Sequence, residues 1–405
     1  MNSTEDVGAF RERARAWLKD NAAPRRAAAA AAHEDVDVAV FSGSDDQTER
    51  ENIAVAVAWH QRKLEAGFAA IDWAVEIGGQ GLPSEFLQAF LEEETAFDTP
   101  AQPEPFIVTT GMVAPTLRDF ASDQLNAQLL QPLLSGSTMC AQLLSEPNAG
   151  SDLASLATRA VRHDDEWVVS GQKVWSSGAR ISDWAFLLAR TDPDVSQHRG
   201  LTAFMLPLPT PGLEIRPIRQ MTGGSSFNEV FLTDVVIPDS MRVGEEGQGW
   251  TIIMAMLGYE RSGTENWTAG GSFAQVRDLA IQLGATTSPL VRQQLAQLYI
   301  GDRLIQWNAQ RAAANSGDGP PGADANIGKL LYGRQMDRVT AAASDLLGAA
   351  LIADANENYR WAGHVIGTPG YHIAGGTNQI QLNVLGERYL GLPREPSRAK
   401  TKPES

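Results

Sequence analysis

Residues 142–152 read QLLSEPNAGSD, and residues 171–178 read GQKVWSSG. The segment EWVVS at 166–170 alternates polar and apolar side chains and runs into a glycine, which predicts a β-strand that ends in a turn. Small residues in the first segment let backbone N–H groups approach a ligand closely, and its serines add hydroxyls that donate and accept hydrogen bonds. The second segment places an indole beside two further hydroxyls. Together these groups suit one face of a flat ring system with polar edges.

A third motif lies near the C-terminus, where residues 375–381 read GGTNQIQ. Taken in order, the Ser-Glu-Pro-x-Ala-Gly-Ser-Asp run, the Gly-x-Lys-x-Trp run and this motif resemble those of the acyl-CoA dehydrogenase family. The alternative is a β-rich domain whose loops are merely rich in Gly and Ser. One motif would leave that alternative open, whereas three motifs in order argue against it. The resemblance extends from about residue 50 to the GLPRE segment at 391–395.

The resemblance implies an FAD cofactor. In the family, the first motif lies along the pyrimidine edge and the pyrophosphate of the flavin, and the second places a Trp and a Ser or Thr against the isoalloxazine ring. The residues expected to bind the cofactor are therefore Leu143, Leu144, Ser145, Gly150, Ser151, Trp175, Ser176, Ser177, Gly376, Thr377 and Gln379.

The composition excludes several other classes of function. The 405 residues are 43% hydrophobic and 20% charged, as in an ordinary globular protein with two or three domains. The net charge of −16 disfavours nucleic-acid binding. A single cysteine, Cys140, precludes an intramolecular disulfide and a cysteine metal cluster. The histidines show no ligand spacing either, so no metal site is predicted.

The start of the chain carries no basic segment followed by an apolar run, so no secretory signal is visible. No uninterrupted apolar run reaches the length of a membrane span. We therefore expect no membrane span and a cytoplasmic location.

The hydrophobic pattern changes twice along the chain and predicts an α+β fold in three parts. Helical spacing predicts an N-terminal α-helical domain over 1–137, interrupted at 21–48 by a mobile insertion or an extended connector. Short apolar runs between Pro, Gly and Asp clusters predict a middle antiparallel β-domain, a barrel or sandwich, over 138–244. Helical patterns return over 245–405, among them a continuous helix at 326–352. By resemblance this last part is a four-helix-bundle-like α domain, and the whole has the acyl-CoA dehydrogenase fold.

The activity implied by the resemblance is FAD-dependent α,β-dehydrogenation of an acyl-CoA thioester to the 2-enoyl-CoA, a reaction of lipid metabolism and fatty acid β-oxidation. A base abstracts the α-proton while hydride passes from Cβ to flavin N5. Because the α-proton is only weakly acidic, the base must reach Cα, and donors must hold the thioester oxygen as enolate charge develops.

The base is the point at which this chain departs from the most common family pattern. Many members carry a Glu just before Gly-Thr in the C-terminal motif, and that position here is Gly375. Its backbone N–H remains available as a donor to the thioester oxygen. A second group of the family places the base on an earlier helix, directly before an Arg, and Glu260-Arg261 matches that pattern. Glu260 is the expected base, positioned by Arg261. The alternative is that the pair forms a polar patch on a helix flank.

Partners are implied only by the resemblance. Family members are usually tetramers that pass electrons to an electron-transfer flavoprotein, so a homotetramer or heterotetramer is expected. Residues 283–289 lack the Arg-x-x-Phe-Gly run that commonly holds the FAD pyrophosphate. Together with Gly375, this leaves open a non-catalytic or FAD-poor subunit of a heteromeric dehydrogenase, and an oxygen-using flavoenzyme is a further alternative. The sequence also leaves open whether the acyl group is a fatty acid or a steroid side chain, and which carrier bears it.

Overall fold

A computed structural model of the chain describes residues 6–25, 45–262, 271–316, 324–353 and 360–394. Most of the connector predicted at 21–48 lies outside these ranges. The described residues form two compact units, which divide between Glu260 and Arg261. Each unit is described by itself below.

The first unit begins with helices that start at side-chain caps. The Asp6 carboxylate accepts a hydrogen bond from the Ala9 N–H at 2.8 Å, and Asp45 does the same for Thr48. Such caps satisfy N–H groups that have no partner inside the helix. The helices are α1 (Val7–Asn21), α2 (Asp46–Glu65), α3 (Ser84–Glu94), α4 (Glu104–Ile107), α5 (Ala114–Phe120), α6 (Asp123–Leu134) and α7 (Gly249–Ser262), whose last two residues belong to the second unit.

Helices α4 and α5 are joined by a π-helical turn, Val108–Val113. The turn contains the fully buried Thr109, whose hydroxyl donates to the Pro105 carbonyl at 2.7 Å and accepts from the Cys140 N–H at 2.8 Å. Extra-wide turns of this kind re-aim the side chains on either side and occur often at functional sites. Thr109 in this turn therefore links α4 to the strand that begins at Cys140.

The middle of the chain forms a largely antiparallel sheet. The prediction of an antiparallel sheet holds except at two pairings, defined by the strands named next: β3 runs parallel to β6, and β4 runs parallel to β6 at a single residue pair. Apart from the two-residue strands β1 (Ala23–Pro24) and β2 (Phe97–Asp98), which pair with each other, the strands are β3 (Cys140–Leu143), β4 (Arg159–His163), β5 (Glu166–Lys173), β6 (Trp184–Arg190), β7 (Leu201–Pro207), β8 (Leu213–Pro217), β9 (Asn228–Pro238) and β10 (Arg242–Val243). Their order is β10-β7-β6-β4-β5-β9-β8, and β3 lies against β6.

One hydrophobic core joins the sheet to helices α5, α6 and α7. Leu117 of α5 and Leu129 of α6 share this core with Phe186 of β6, Met205 of β7 and Met256 of α7. Burial of large apolar side chains is the main stabilising contribution to such a core. The start of α7 is therefore anchored directly on the sheet.

The second unit is helical. Its elements are α8 (Phe273–Gln282), α9 (Pro289–Ser316), α10 (Asp324–Leu347), α11 (Ala350–Ala353), α12 (Arg360–Gly367) and α13 (Asn378–Val384). The continuous helix predicted at 326–352 is wrong in one respect, because Gly348 adopts a left-handed φ of 51° and ends α10. Val276, Leu298 and Val339 form the centre of the unit's core.

The α–β–α order predicted for the fold is confirmed. The domain boundaries predicted at 137/138 and 244/245 stay predictions. Within the described ranges, each helix is too short or too polar to cross a membrane.

Candidate active site

A partly open cavity of about 90 Å³ lies in the first unit, at the end of the sheet where β3 and β5 stop. It brings together residues of both N-terminal motifs that are far apart in sequence. Its lining consists of Glu104, Val108, Gln142, Leu144, Ser145, Val174, Trp175 and Ser177. Four of these, Leu144, Ser145, Trp175 and Ser177, are among the predicted cofactor-binding residues.

The two motifs are joined by backbone and side-chain hydrogen bonds. The Val174 N–H donates to the Ser145 carbonyl at 2.9 Å, and the Lys173 ammonium donates to the Leu144 carbonyl at 3.0 Å. These bonds hold the ends of β3 and β5 side by side although the two strands are not paired in the sheet. The segments after both strands therefore open onto the same cavity.

Next to the lining residues Ser145 and Val174 in sequence, Lys173 forms a buried ion pair with Glu146. The Lys173 ammonium lies 2.9 Å from the Glu146 carboxylate, which also accepts the N–H groups of Ala157 at 2.6 Å and Thr158 at 2.8 Å. Burial raises the pKa of Glu146, but the Lys173 charge and the hydrogen bonds outweigh it, so the pKa is lowered overall. Burial lowers the pKa of Lys173 to about 8. Burial dominates at Lys173 because its side chain is fully enclosed, whereas several donors stabilise the charged form of Glu146.

Trp175 projects from the turn that follows β5. Its φ is +62°, a left-handed conformation that is uncommon for a residue with a bulky side chain, and 59% of the residue is exposed. The Ser176 N–H donates to the Asn228 carbonyl at 3.0 Å, and the Asn228 amide donates back to the Ser176 carbonyl at 2.9 Å. This exchange with β9 maintains the strained turn and turns the indole toward the cavity. An aromatic side chain that stays exposed on a strained backbone indicates a ligand-binding role.

Glu104 is a cavity residue that the sequence analysis missed. It is the first residue of α4 and lines the same cavity as Ser177. Its side chain is open to the cavity, yet protein surrounds it on most sides, and this burial raises the pKa of Glu104. The one signal available in the sequence is an isolated acid between Pro103 and Pro105, directly before an apolar run.

The remaining predicted residues of the first two motifs lie outside the cavity lining. Leu143 is fully buried in the sheet core, and Ser176 is 1% exposed. Gly150 and Ser151 are exposed in the turn that follows, and a Cβ on Gly150 would meet no atom within 4 Å. That exposed turn leaves room for a ligand to approach the backbone closely.

The third motif belongs to the second unit. Gly375 and Gly376 have left-handed φ values of 64° and 86°, and Thr377 caps α13 by accepting the Ile380 N–H at 3.2 Å. The buried Gln381 amide donates to the Gly375 carbonyl at 2.9 Å and so holds the loop. Gln379 is exposed on the first turn of α13.

Glu260 and Arg261 lie in the last turn of α7, and their side chains are outside the part of the chain that the structure describes. The preceding residue, Tyr259, hydrogen-bonds with Asp119, and Arg118 donates to its hydroxyl at 3.4 Å. This end of α7 is therefore tied to α5.

Three family models match the chain in succession. They describe the N-terminal domain (residues 4–137), the middle domain (141–235) and the C-terminal domain (247–390) of acyl-CoA dehydrogenases. Together they span most of the 405 residues.

The chain is also similar to curated and solved proteins. It is 35% identical to acyl-CoA dehydrogenase IpdE1 of Mycobacterium tuberculosis, over 96% of this chain and 99% of that protein. Among solved structures, the Tcur3481-Tcur3483 steroid ACAD is 27% identical with a TM-score of 0.73, covering 98% of this chain and 100% of that one. The ChsE4-ChsE5 complex from M. tuberculosis is 25% identical with the same TM-score and the same coverage.

Proposed function

Because the chain belongs to the acyl-CoA dehydrogenase family, an oxidoreductase family with FAD as cofactor, we propose that it oxidises an acyl-CoA thioester to the 2-enoyl-CoA. The observation that carries this proposal is the cavity at which Ser145, Trp175 and Ser177 meet. Two sequence motifs, separated by β4 and most of β5, present hydroxyls and an indole to the same space.

The residues present fit a flavin. An exposed indole in a strained turn offers a flat apolar face, and two hydroxyls offer both donors and acceptors at its edge. The open backbone at Gly150 suits a close approach by the phosphate end of a ligand. We propose that the predicted cofactor-binding residues of all three motifs hold FAD.

The proposed chemistry requires a base and a donor from this chain. The Glu260 carboxylate removes the α-proton, and Arg261 positions it. The Gly375 N–H donates to the thioester oxygen as negative charge develops there. Bound FAD supplies the acceptor for the hydride that leaves Cβ. The contacts of Met256 and Tyr259 hold α7 in place. They support this assignment, because a general base must stay within a fixed distance of the proton that it removes.

The test is the visible spectrum of the purified chain, recorded anaerobically before and after addition of a panel of acyl-CoAs. We expect a yellow protein that at least one member bleaches, and a Glu260→Gln variant that stays yellow without bleaching. Glu246→Gln, a change of an exposed carboxylate before α7, is the matched control and should bleach as the wild type does. Full bleaching of Glu260→Gln would place the base elsewhere.

The panel should contain steroid side-chain and fatty acyl thioesters. The steroid ACAD and the ChsE4-ChsE5 complex among the similar structures support the steroid class and a heteromeric assembly for this chain. An electron-transfer flavoprotein is the proposed electron acceptor, and peroxide release on substrate addition would instead indicate an oxygen-using enzyme.

A second candidate function is a non-catalytic or FAD-poor subunit of a heteromeric dehydrogenase. Its support is Gly375 at the usual base position and the segment at 283–289, which has neither Arg nor Phe. This candidate predicts a colourless chain that becomes yellow only when co-purified with a second subunit. Light scattering of the chain alone would then show no tetramer.

A further inference from the structure

The loop that contains Gly375 is closed by a hydrogen bond between its two ends. A 3₁₀ turn, Thr368–His372, precedes the loop, and α13 begins directly after it at Asn378. The Asn378 side-chain nitrogen lies 2.6 Å from His372 Nδ1, so this contact spans residues 373–377. The two consecutive glycines of the loop allow it many backbone conformations. A bond that joins the ends of such a loop restricts the positions open to Gly375.

Lys329 of α10 determines the orientation of the Asn378 amide. Lys329 is 2% exposed, and its ammonium donates to Asn378 Oδ1 at 2.7 Å. Because an ammonium group can only donate, the amide oxygen faces Lys329 and the amide NH2 group faces His372. His372 Nδ1 therefore accepts, which requires a neutral ring with its proton on Nε2. His372 Nε2 lies 2.8 Å from Asp337 Oδ1, the acceptor for that proton.

One face of α10 supports the whole arrangement. Lys329, Gly333 and Asp337 are spaced four residues apart, so they lie on the same side of the helix. A Cβ on Gly333 would lie 3.4 Å from His372 Nδ1, which places the imidazole directly against the helix backbone. The cation, the surface under the ring and the carboxylate thus come from a single helix.

We propose that His372 is a positioning residue, whose Nδ1 lone pair accepts from Asn378 and thereby holds the loop that carries Gly375 and Thr377. The inference rests on the proposed function, in which the Gly375 N–H donates to the thioester oxygen and Thr377 contacts FAD. The acceptor of the ring closes the loop, and the bond from Nε2 to Asp337 orients the ring.

Protonation of the ring removes this acceptor. A cationic His372 carries protons on both nitrogens, and turning the Asn378 amide over would bring its NH2 group against the Lys329 ammonium. Asp337 favours the cation, whereas Lys329 opposes it through Asn378. Two further titratable side chains lie on the elements packed against this turn, namely Tyr332 of α10, which contacts Tyr371, and His364 of α12, which contacts Thr368. The loop should therefore loosen as the pH falls from about 8 to about 5, where histidines usually titrate.

Two variants separate the acceptor of the ring from its donor. His372→Asn keeps an oxygen acceptor near the position of Nδ1 and loses the bond to Asp337. His372→Gln keeps an amide donor near the position of Nε2 and loses the acceptor for Asn378. If the acceptor holds the loop, the Asn variant should resemble the wild type and the Gln variant should not.

The test is hydrogen exchange of the Ala374 and Ile380 amides in the full chain, corrected for the intrinsic exchange rate at each pH. These amides bond to the Gly370 carbonyl at 2.9 Å and to the Thr377 hydroxyl at 3.2 Å. At pH 8 we expect exchange about fivefold faster or more in His372→Gln, and less than about twofold faster in His372→Asn. As the pH falls, exchange should accelerate in the wild type but not in His372→Asn.

Two further readouts accompany the exchange. The ¹⁵N NMR spectrum of the histidine-labelled wild type should show the His372 ring proton on Nε2 at pH 8. The rate of bleaching at saturating acyl-CoA should fall in His372→Gln with little change in KM, because the Gly375 donor acts on charge that develops in the transition state. His163→Gln, a change of an exposed histidine, is the control and should match the wild type throughout.

Equal exchange in the two His372 variants, or a wild-type ring proton on Nδ1, would overturn the inference. If His372→Gln does not fold, the wild-type pH series and the NMR spectrum decide the same question. A chain that acyl-CoA bleaches but whose two His372 variants behave alike overturns this inference alone. A chain that takes up no FAD overturns the proposed function and with it the role of His372, even where the exchange results hold.

Discussion

The Lys173 ammonium lies 2.9 Å from the Glu146 carboxylate, and both side chains are almost completely buried. The two residues stand 27 positions apart, one in each of the motifs that open onto the cavity. Their pairing, together with the bond from Lys173 to the Leu144 carbonyl, sets the spacing of the two motif segments.

Lys173→Met should lower the free energy of unfolding by about 3–5 kcal/mol, because it leaves the Glu146 carboxylate buried without its cation. Urea denaturation measures this loss. Arg216→Met is the matched control, since Arg216 and Glu214 form an exposed pair, and exposed pairs contribute little to stability. Replacing Glu146 by Leu in the Lys173→Met background should restore part of the stability. Equal losses for Lys173→Met and the control would contradict the role assigned to the pair.

His60 should make the stability of the first unit depend on pH. Its Nε2 lies 2.8 Å from the Leu134 carbonyl oxygen, and burial lowers the pKa of His60 to about 4. The fold thus accommodates the neutral ring, so stability is fully present above pH 6.5 and falls as the pH drops toward 4. The shift corresponds to about 3 kcal/mol.

The measurement is urea denaturation at several pH values between 4 and 7. His60→Gln keeps a donor for the carbonyl but cannot titrate, so its stability should fall less steeply over this range. His163→Gln, a change of an exposed histidine, should follow the wild type. Parallel curves for wild type and His60→Gln would rule out this source of pH dependence.

Trp175→Gly should separate cofactor binding from stability. Glycine relieves the left-handed strain at a φ of +62° but adds freedom to the unfolded chain, so the stability should stay within about 1 kcal/mol. If the exposed indole serves the cofactor, the FAD dissociation constant should rise tenfold or more. Trp307→Ala removes an equally exposed indole from α9 and should leave FAD affinity unchanged. A large stability loss without loss of FAD affinity would make Trp175 structural.

Gln381→Leu should loosen the loop that contains Gly375. It removes the donor to the Gly375 carbonyl and leaves buried polar groups without partners, a cost of about 1–3 kcal/mol. Hydrogen exchange of the Gly376 and Thr377 amides should become faster. Asn383→Ala, on the exposed side of the same helix, should change neither quantity. Unchanged exchange in Gln381→Leu would mean that the loop is held by other contacts.

The sequence identified cavity residues where a motif carried them. Ser145, Trp175 and Ser177 were predicted from short segments whose residue types suit a flat polar ligand, and all three line the cavity. Glu104 belongs to no motif, because its position depends on the π-helical turn and on the packing of Pro105 against Gly178. A sequence pattern records neither contact.

By itself, the sequence determined the α–β–α order, and its capping carboxylates determine where α1 and α2 begin. Both follow from local properties, namely the period of apolar residues and a capping carboxylate such as Asp6 or Asp45. Only the tertiary structure decided that Lys173 meets Glu146 and that Glu104 lines the same cavity as Ser177. These contacts join segments distant in the chain, and their energies depend on burial, which arises only when sheet and helices enclose a common core.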